Sequence, residues 1–363
     1  MAVLLPDWAL RRALVLRWPW RPDIWPNAGR AAQQALLALL ERLQGPLLQR
    51  QIQLQLEVPS GLDCVQLNTL NSTVETVITP YADIWVRDCA PFYVANNIVP
   101  PAPPFAETQQ QINVTSYCAG FNGWAGLDPD FARDVQARAH LCERFALRCA
   151  DLPLVLEGGS VQTNGEGVLV YVASAVLDAR RNPELTQAQF EDILYTQFGA
   201  QLVIALEHGL SADETGGHAD NLVTFLSPSQ VLVSAPDDPS HPEYALGEQV
   251  CGQLQRAFAA DLRPLQILRT PLPQLYLERA QAAAIERRED SKERFAGMPL
   301  CATYTNGIRI DDIYVLPQFG VAQDAEVFQM LQNECPQLHI IPADSRALLA
   351  GGGGWHCASH AVV

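Results

Sequence analysis

Apolar segments of two different periods alternate along almost the whole chain, and no flexible linker divides them into separate sets. The stretch AAQQALLALLERL at 31–43 repeats apolar residues at helical spacing, which predicts an amphipathic helix ended by Gly45-Pro46. QIQLQLEV at 51–58, CVQL at 64–67 and DIWV at 83–86 read as strands, and the proline-rich run 99–104 as a surface connection. Helical patterns at 129–148, 185–198, 242–259, 274–288 and 324–334 are then interleaved with strands at 152–157, 167–174, 201–206, 221–226, 230–234, 265–268, 313–317 and 338–342. Such mixing predicts the α/β class and one domain spanning 1–363. No fixed-period repeat is evident.

Charge narrows the partner. With 24 Lys plus Arg against 40 Asp plus Glu, the chain carries a net charge of -16. That field repels phosphate, so nucleic acid and anionic membranes are poor partners and a small cation is a good one. The nine cysteines form no CxxC pair, so they read as reduced thiols of a cytoplasmic protein without a metal site. The apolar N-terminal stretches are broken by Pro6, Asp7, Arg11 and Arg12, which argues against a signal peptide or membrane span. A homo-oligomer is compatible with the sequence but not specified by it.

Four segments place reactive side chains beside glycines at strand ends, where α/β scaffolds keep their chemistry. Asp88 follows the apolar run ending at Val86, and alone it would serve equally as a turn cap or surface ion-pair partner. Glu157 ends the run 152–156 before Gly158-Gly159; a carboxylate there needs a cation or donors, unless the turn is solvent-exposed. His218 and Asp220 lie two apart, which on a strand would aim both at one face; a metal reading needs two or three more ligands. Cys357 follows Gly351–Gly354 and adjoins His356, making it the best nucleophile candidate among thiols that are usually inert. The glycine run lacks the Lys-Ser/Thr ending of a phosphate loop.

Taken together, TPYADIWVRDCAP, LEGGSVQTNGEG, DETGGHADNLVTF and GGGGWHCASH resemble, in order and spacing, the agmatine deiminases of the wider agmatine/peptidyl-arginine deiminase family. FNGWAGL at 121–127 and TYTNG at 303–307 add to the likeness. The resemblance implies a five-bladed pseudo-symmetric α/β propeller, the pentein fold, needing no cofactor and no metal. It implies Cys357 as nucleophile, His218 as general acid/base, Glu157 as the acid orienting it, and Asp88 and Asp220 as the pair gripping a guanidinium. Trp85, Trp124 and Glu214 match positions that box the amine tail. The implied reaction is hydrolysis of agmatine to N-carbamoylputrescine and ammonia through a covalent thiouronium; the alternatives are deimination of arginine or peptidyl-arginine, or mere guanidinium binding. This chain departs from the family pattern at Cys89-Ala90 and at His360.

Overall fold

The computed structural model describes residues 2–9, 12–61, 73–96 and 113–363. The strand expected at 64–67 and the connection expected at 99–104 lie outside these residues. Five sheets repeat one pattern: a first strand antiparallel to a second, and a third strand parallel to the second.

The first sheet runs Phe92–Asn96, Asn113–Gly120, Cys149–Val155; the second Val161–Thr163, Val168–Val172, Leu202–Leu206; the third Val223–Ser227, Gln230–Ser234, Gln266–Thr270. The fourth runs Ile308–Ile310, Ile313–Gln318, His339–Asp344. In the fifth, the C-terminal strand Ser359–Val362 comes first, against Ala13–Arg17 and then Gln53–Val58, so the two ends of the chain share one sheet. Ala2–Leu4 extends the first sheet and Val74–Ile78 the fifth.

Each second strand reaches its parallel third strand through a helix: Ala132–Arg144, Gln187–Thr196, Tyr244–Ala260, Gln323–Glu334 and Arg30–Gln49, in sheet order. A parallel pair needs such a crossover, and the helix covers the sheet face it crosses. Strands therefore bury both faces. Val168, Val170 and Val172 belong to a core shared with the third sheet, while Leu169 and Tyr171 belong to a core shared with the first. A third core joins the third and fourth sheets, and the largest joins the fourth, the fifth and, through Tyr93 and Ala95, the first.

Three expectations need correction. The first helix runs on to Gln49 through Gly45 and Pro46, because Leu43 and Leu47 continue one buried stripe across the break and packing overrides the proline penalty. Residues 274–288 are not one helix: Leu275–Tyr276 pairs with Pro299–Leu300, and only Arg279–Ala283 is helical, started by a Glu278/Gln281 capping box. Residues 83–86 are not a strand, since the Asp83 carboxylate accepts from the Ile84 amide at 2.7 Å and turns the chain into the short helix Val86–Cys89. Among the described residues no helix is long and apolar enough to cross a membrane.

Candidate active site

Each of the five repeating sheets contributes the segment just before its first strand. Asp88 lies on the helix leading to Phe92, Glu157 precedes Val161, His218 and Asp220 precede Val223, Asn306 precedes Ile308, and Cys357 precedes Ser359. The spacing of His218 and Asp220 is thus not that of a strand; His218 caps the 3-10 turn Ala219–Asn221, and the turn brings both residues to the same buried site.

The side chains meet closely. Cys357 Sγ lies 3.5 Å from Asp220 Oδ2 and 3.2 Å from Asn306 Nδ2. His218 Nδ1 is 3.7 Å from Asp88 Oδ1. Asp88 is fixed from both sides, accepting from Trp124 Nε1 at 2.8 Å and from the Gly159 amide at 2.9 Å. A Cβ on Gly159 would stand 2.6 Å from His218 Nδ1 and 2.9 Å from Asp220 Oδ2. Only glycine fits where these groups converge.

Asp220 Oδ2 also binds His356 Nδ1 at 2.7 Å, and His356 Nε2 reaches Asp7 at 3.0 Å, where Arg87 makes a two-pronged ion pair. Glu157 is not hydrogen-bonded to His218. Its carboxylate pairs with buried Arg181 at 2.8 Å, and Arg181 in turn donates to the Thr215 carbonyl. Asp213 fixes the His218 segment by accepting from the His218 amide at 2.7 Å and from the Asn221 side chain.

Where Cys357, Asp88, His218 and Asp220 meet, two buried groups lack partners. Neither ring nitrogen of His218 has a hydrogen-bond partner in the protein, nor does Asp220 Oδ1. Orphaned buried polar atoms are costly, and their clustering beside a cysteine marks a site built for a polar ligand. Burial, followed by Asp220 and Glu157, pushes the Asp88 carboxyl up against the opposing pull of His218 and Trp124. Burial acts to lower His218, but Asp88, Asp213, Glu157 and Asp220 outweigh it and hold the imidazole above its ordinary value. Asp220 ends below the usual range because His356 and His218 overcome its desolvation. Burial, with Asp220 and Asp88, raises the Cys357 thiol well above 9.0. Both shifts favour the protonated forms, thiol on Cys357 and imidazolium on His218.

A cavity opens from this centre past Trp85, Trp124 and Gly351–Gly353 to Glu214 and Arg294. The glycine run exists for packing: a Cβ on Gly351 would strike the Trp25 ring at 2.2 Å and one on Gly353 the Trp85 ring at 2.8 Å. Trp85 and Trp25 contact with ring centroids 5.7 Å apart. Glu214 lies at the outer part, but its two oxygens are held by Arg294 at 2.7 and 3.0 Å, with Lys292 at 3.6 Å. It is therefore not a free acceptor for an amine. At the two departures from the family pattern, burial pushes Cys89 up to about 12, and His360, driven down to about 3 chiefly by burial, contacts the Tyr93 hydroxyl.

Sequence reasoning gave Asn306, Asp7, Asp213 and Arg181 no role in the site and used His356 only as the neighbour of Cys357. TYTNG, DETGGHADN and the His356-Cys357 pair contain three of them, but the partners they serve are set by the fold.

A family model described as Porphyromonas-type peptidyl-arginine deiminase matches residues 3–362. A Vibrio parahaemolyticus relative is 32% identical over 352 residues, covering 96% of this chain and 92% of its own. The agmatine deiminase of Pseudomonas fluorescens is 30% identical over 358 residues, covering 97% and 92%. Among solved structures, the agmatine deiminase of Enterococcus faecalis superposes with a TM-score of 0.88 at 22% identity, covering 99% of this chain and 95% of that one. From residue 3 to residue 362, then, the chain belongs to the Porphyromonas-type peptidyl-arginine deiminase family.

Proposed function

We propose that this protein hydrolyses agmatine to N-carbamoylputrescine and ammonia, with Cys357 as nucleophile. The carrying observation is the convergence of Cys357, Asp88 and Asp220 on a His218 whose ring nitrogens have no partner. Asp88 and Asp220 accept paired N–H bonds from the planar guanidinium, orienting it and offsetting its desolvation. That cation also opposes the two carboxylates that keep the Cys357 proton in place, so substrate binding favours the thiolate and the thiol proton passes to solvent. Sγ then bonds to the guanidinium carbon, and His218 gives a proton to the departing nitrogen, which leaves as ammonia. Water attacks the thiouronium, His218 takes one water proton, and collapse of the adduct breaks the C–S bond while the remaining hydroxyl proton goes to Sγ, releasing the ureido product and restoring the thiol. Glu157 acts on His218 through its charge, and its Arg181 anchor holds it in place.

Trp85 and Trp124 form the walls beside the reacting group, and Trp124 also positions Asp88. The relatives named agmatine deiminases support the choice of substrate. One observation favours a second substrate class: Arg294 and Lys292 near the outer cavity suit the carboxylate of arginine or of a C-terminal peptidyl-arginine.

The same reading extends to architecture. Five ββαβ units, cores lying between successive sheets, and five equivalent segments meeting at one site support a five-bladed pentein propeller forming one domain over 1–363. Eight free cysteines among the described residues suit a cytoplasmic protein. Turnover of agmatine, arginine and an arginyl peptide, read by ureido-product colour, tests the function. Agmatine should give the highest kcat/KM; folded protein that yields no ureido product from any of the three rejects deimination.

A further inference from the structure

We propose that Cys118, Cys142 and Cys149 form a three-thiolate site for one thiophilic d10 metal ion, separate from the reaction centre. The three sulfurs lie within 4.8 Å of one another, and the Cys142 and Cys149 sulfurs are 3.6 Å apart. Zinc–sulfur bonds of about 2.3 Å in tetrahedral geometry hold neighbouring sulfurs about 3.8 Å apart, so little movement is needed. Three protein ligands leave a fourth position for water.

The arrangement follows from strand register. Ser116 pairs with Cys149 across the parallel strands of the first sheet, and Cys118, two residues on from Ser116, shares the face of Cys149. The crossover helix Ala132–Arg144 packs over that face and brings Cys142 near its C-terminal end to the other two. All three residues are half-buried, which leaves a route for an ion. Arg138, one turn before Cys142 on the same helix, donates to the Ala119 carbonyl and acts electrostatically on Cys118 and Cys142. Its charge offsets the surplus negative charge of three thiolates on a mono- or divalent ion. Sequence spacings of 24 and seven residues hide this set, because register and a crossover assemble it rather than a local motif.

Binding converts three thiols to thiolates and releases their protons, so affinity rises with pH. The ion would tie the helix to two strands of the first sheet. One of those strands ends at Gly120, four residues before Trp124, the residue that holds Asp88. Its action on the reaction centre is thus positional.

The test uses the full chain, reduced and stripped of metal, titrated with Zn²⁺ and separately with Cu⁺ against chromophoric chelators. Alkylation and peptide mapping are run on the free and loaded protein. One equivalent of one of these ions should bind and protect Cys118, Cys142 and Cys149 together, while Cys251 alkylates equally with and without it. Cys142→Ser should weaken binding by more than the roughly 10–100-fold that follows loss of an outer-shell partner. Because the mapping uses the unmodified chain, it decides the matter even if that variant misfolds. Failure of both ions to bind stoichiometrically, protection at Cys357 instead, or recovery of a Cys142–Cys149 disulfide that resists reduction and blocks loading would overturn the proposal.

Discussion

At the inner end of the cavity Asp88 and Asp220 face Cys357 with no arginine or lysine paired to either carboxylate, whereas farther out Glu214 is clasped by Arg294 and approached by Lys292. Both regions hold acids beside a pocket, yet only the inner one has negative charge left for a ligand. The contrast locates selectivity. A guanidinium answers a requirement built into the fold, but a second charge on the substrate must compete with an ion pair already formed. Net acidity of the chain does not distinguish the two; the placement of Arg294 and Lys292 does.

The contrast breaks most severely at the inner end. Asp88→Asn or Asp220→Asn should lower kcat/KM for any guanidine by about 10³-fold or more, since each removes one side of a buried charge pairing. Steady-state kinetics on protein of unchanged circular dichroism measures this. A loss under tenfold would show that the carboxylates do not hold the reacting cation.

A smaller effect belongs to the outer cavity. Arg294→Ala frees Glu214, so KM for dicationic agmatine should fall about 3–10-fold while kcat changes little. The KM for a substrate bearing a carboxylate tail should rise by a similar factor. If both substrates respond in the same direction, the ion pair does not set tail preference.

The smallest effect concerns Asp83, also on the cavity wall. Burial, then Asp128, raises its carboxyl from 3.8 to about 8. Between those values the unfolded chain has released a proton that the folded chain keeps, so this group's stabilisation is full below 3.8 and lost as pH rises through about 8. Asp83→Asn, which imitates the protonated acid, should raise the melting temperature at neutral pH by about 2 °C and flatten the pH dependence of stability over that window. An unchanged slope would mean that Asp83 is ionised in the folded state.

Legibility in the sequence followed locality. Asp88, Glu157, His218, Asp220 and Cys357 could be singled out because each stands beside glycine or a strand boundary, and they occupy four of the five segments that meet, Asn306 lying on the fifth. Partners that come from elsewhere in the chain could not. Glu214 looked like an amine acceptor because Arg294, 80 residues away, is invisible as its partner until the chain folds. Glu157 looked like a hydrogen-bonded orienter of His218, but Arg181 takes its carboxylate. The α/β class was legible from period changes, whereas the fivefold repetition was not. It resides in strand directions and crossovers, and the fifth sheet joins opposite ends of the chain. Pro46 misled because the penalty is local and the buried stripe that outweighs it extends across the helix.

The central claim is that the buried acids keep Cys357 a thiol until a planar cation arrives. Alkylation rates at Cys357, followed by peptide mass spectrometry with neutral iodoacetamide and with cationic chloroacetamidine, test it directly. Iodoacetamide should react slowly at neutral pH, accelerating about tenfold per pH unit without a plateau up to 9.0. Chloroacetamidine should react at neutral pH at least about 100-fold faster than iodoacetamide, an advantage lost in Asp88→Asn and Asp220→Asn. Fast iodoacetamide labelling at neutral pH that is independent of reagent charge would contradict the account.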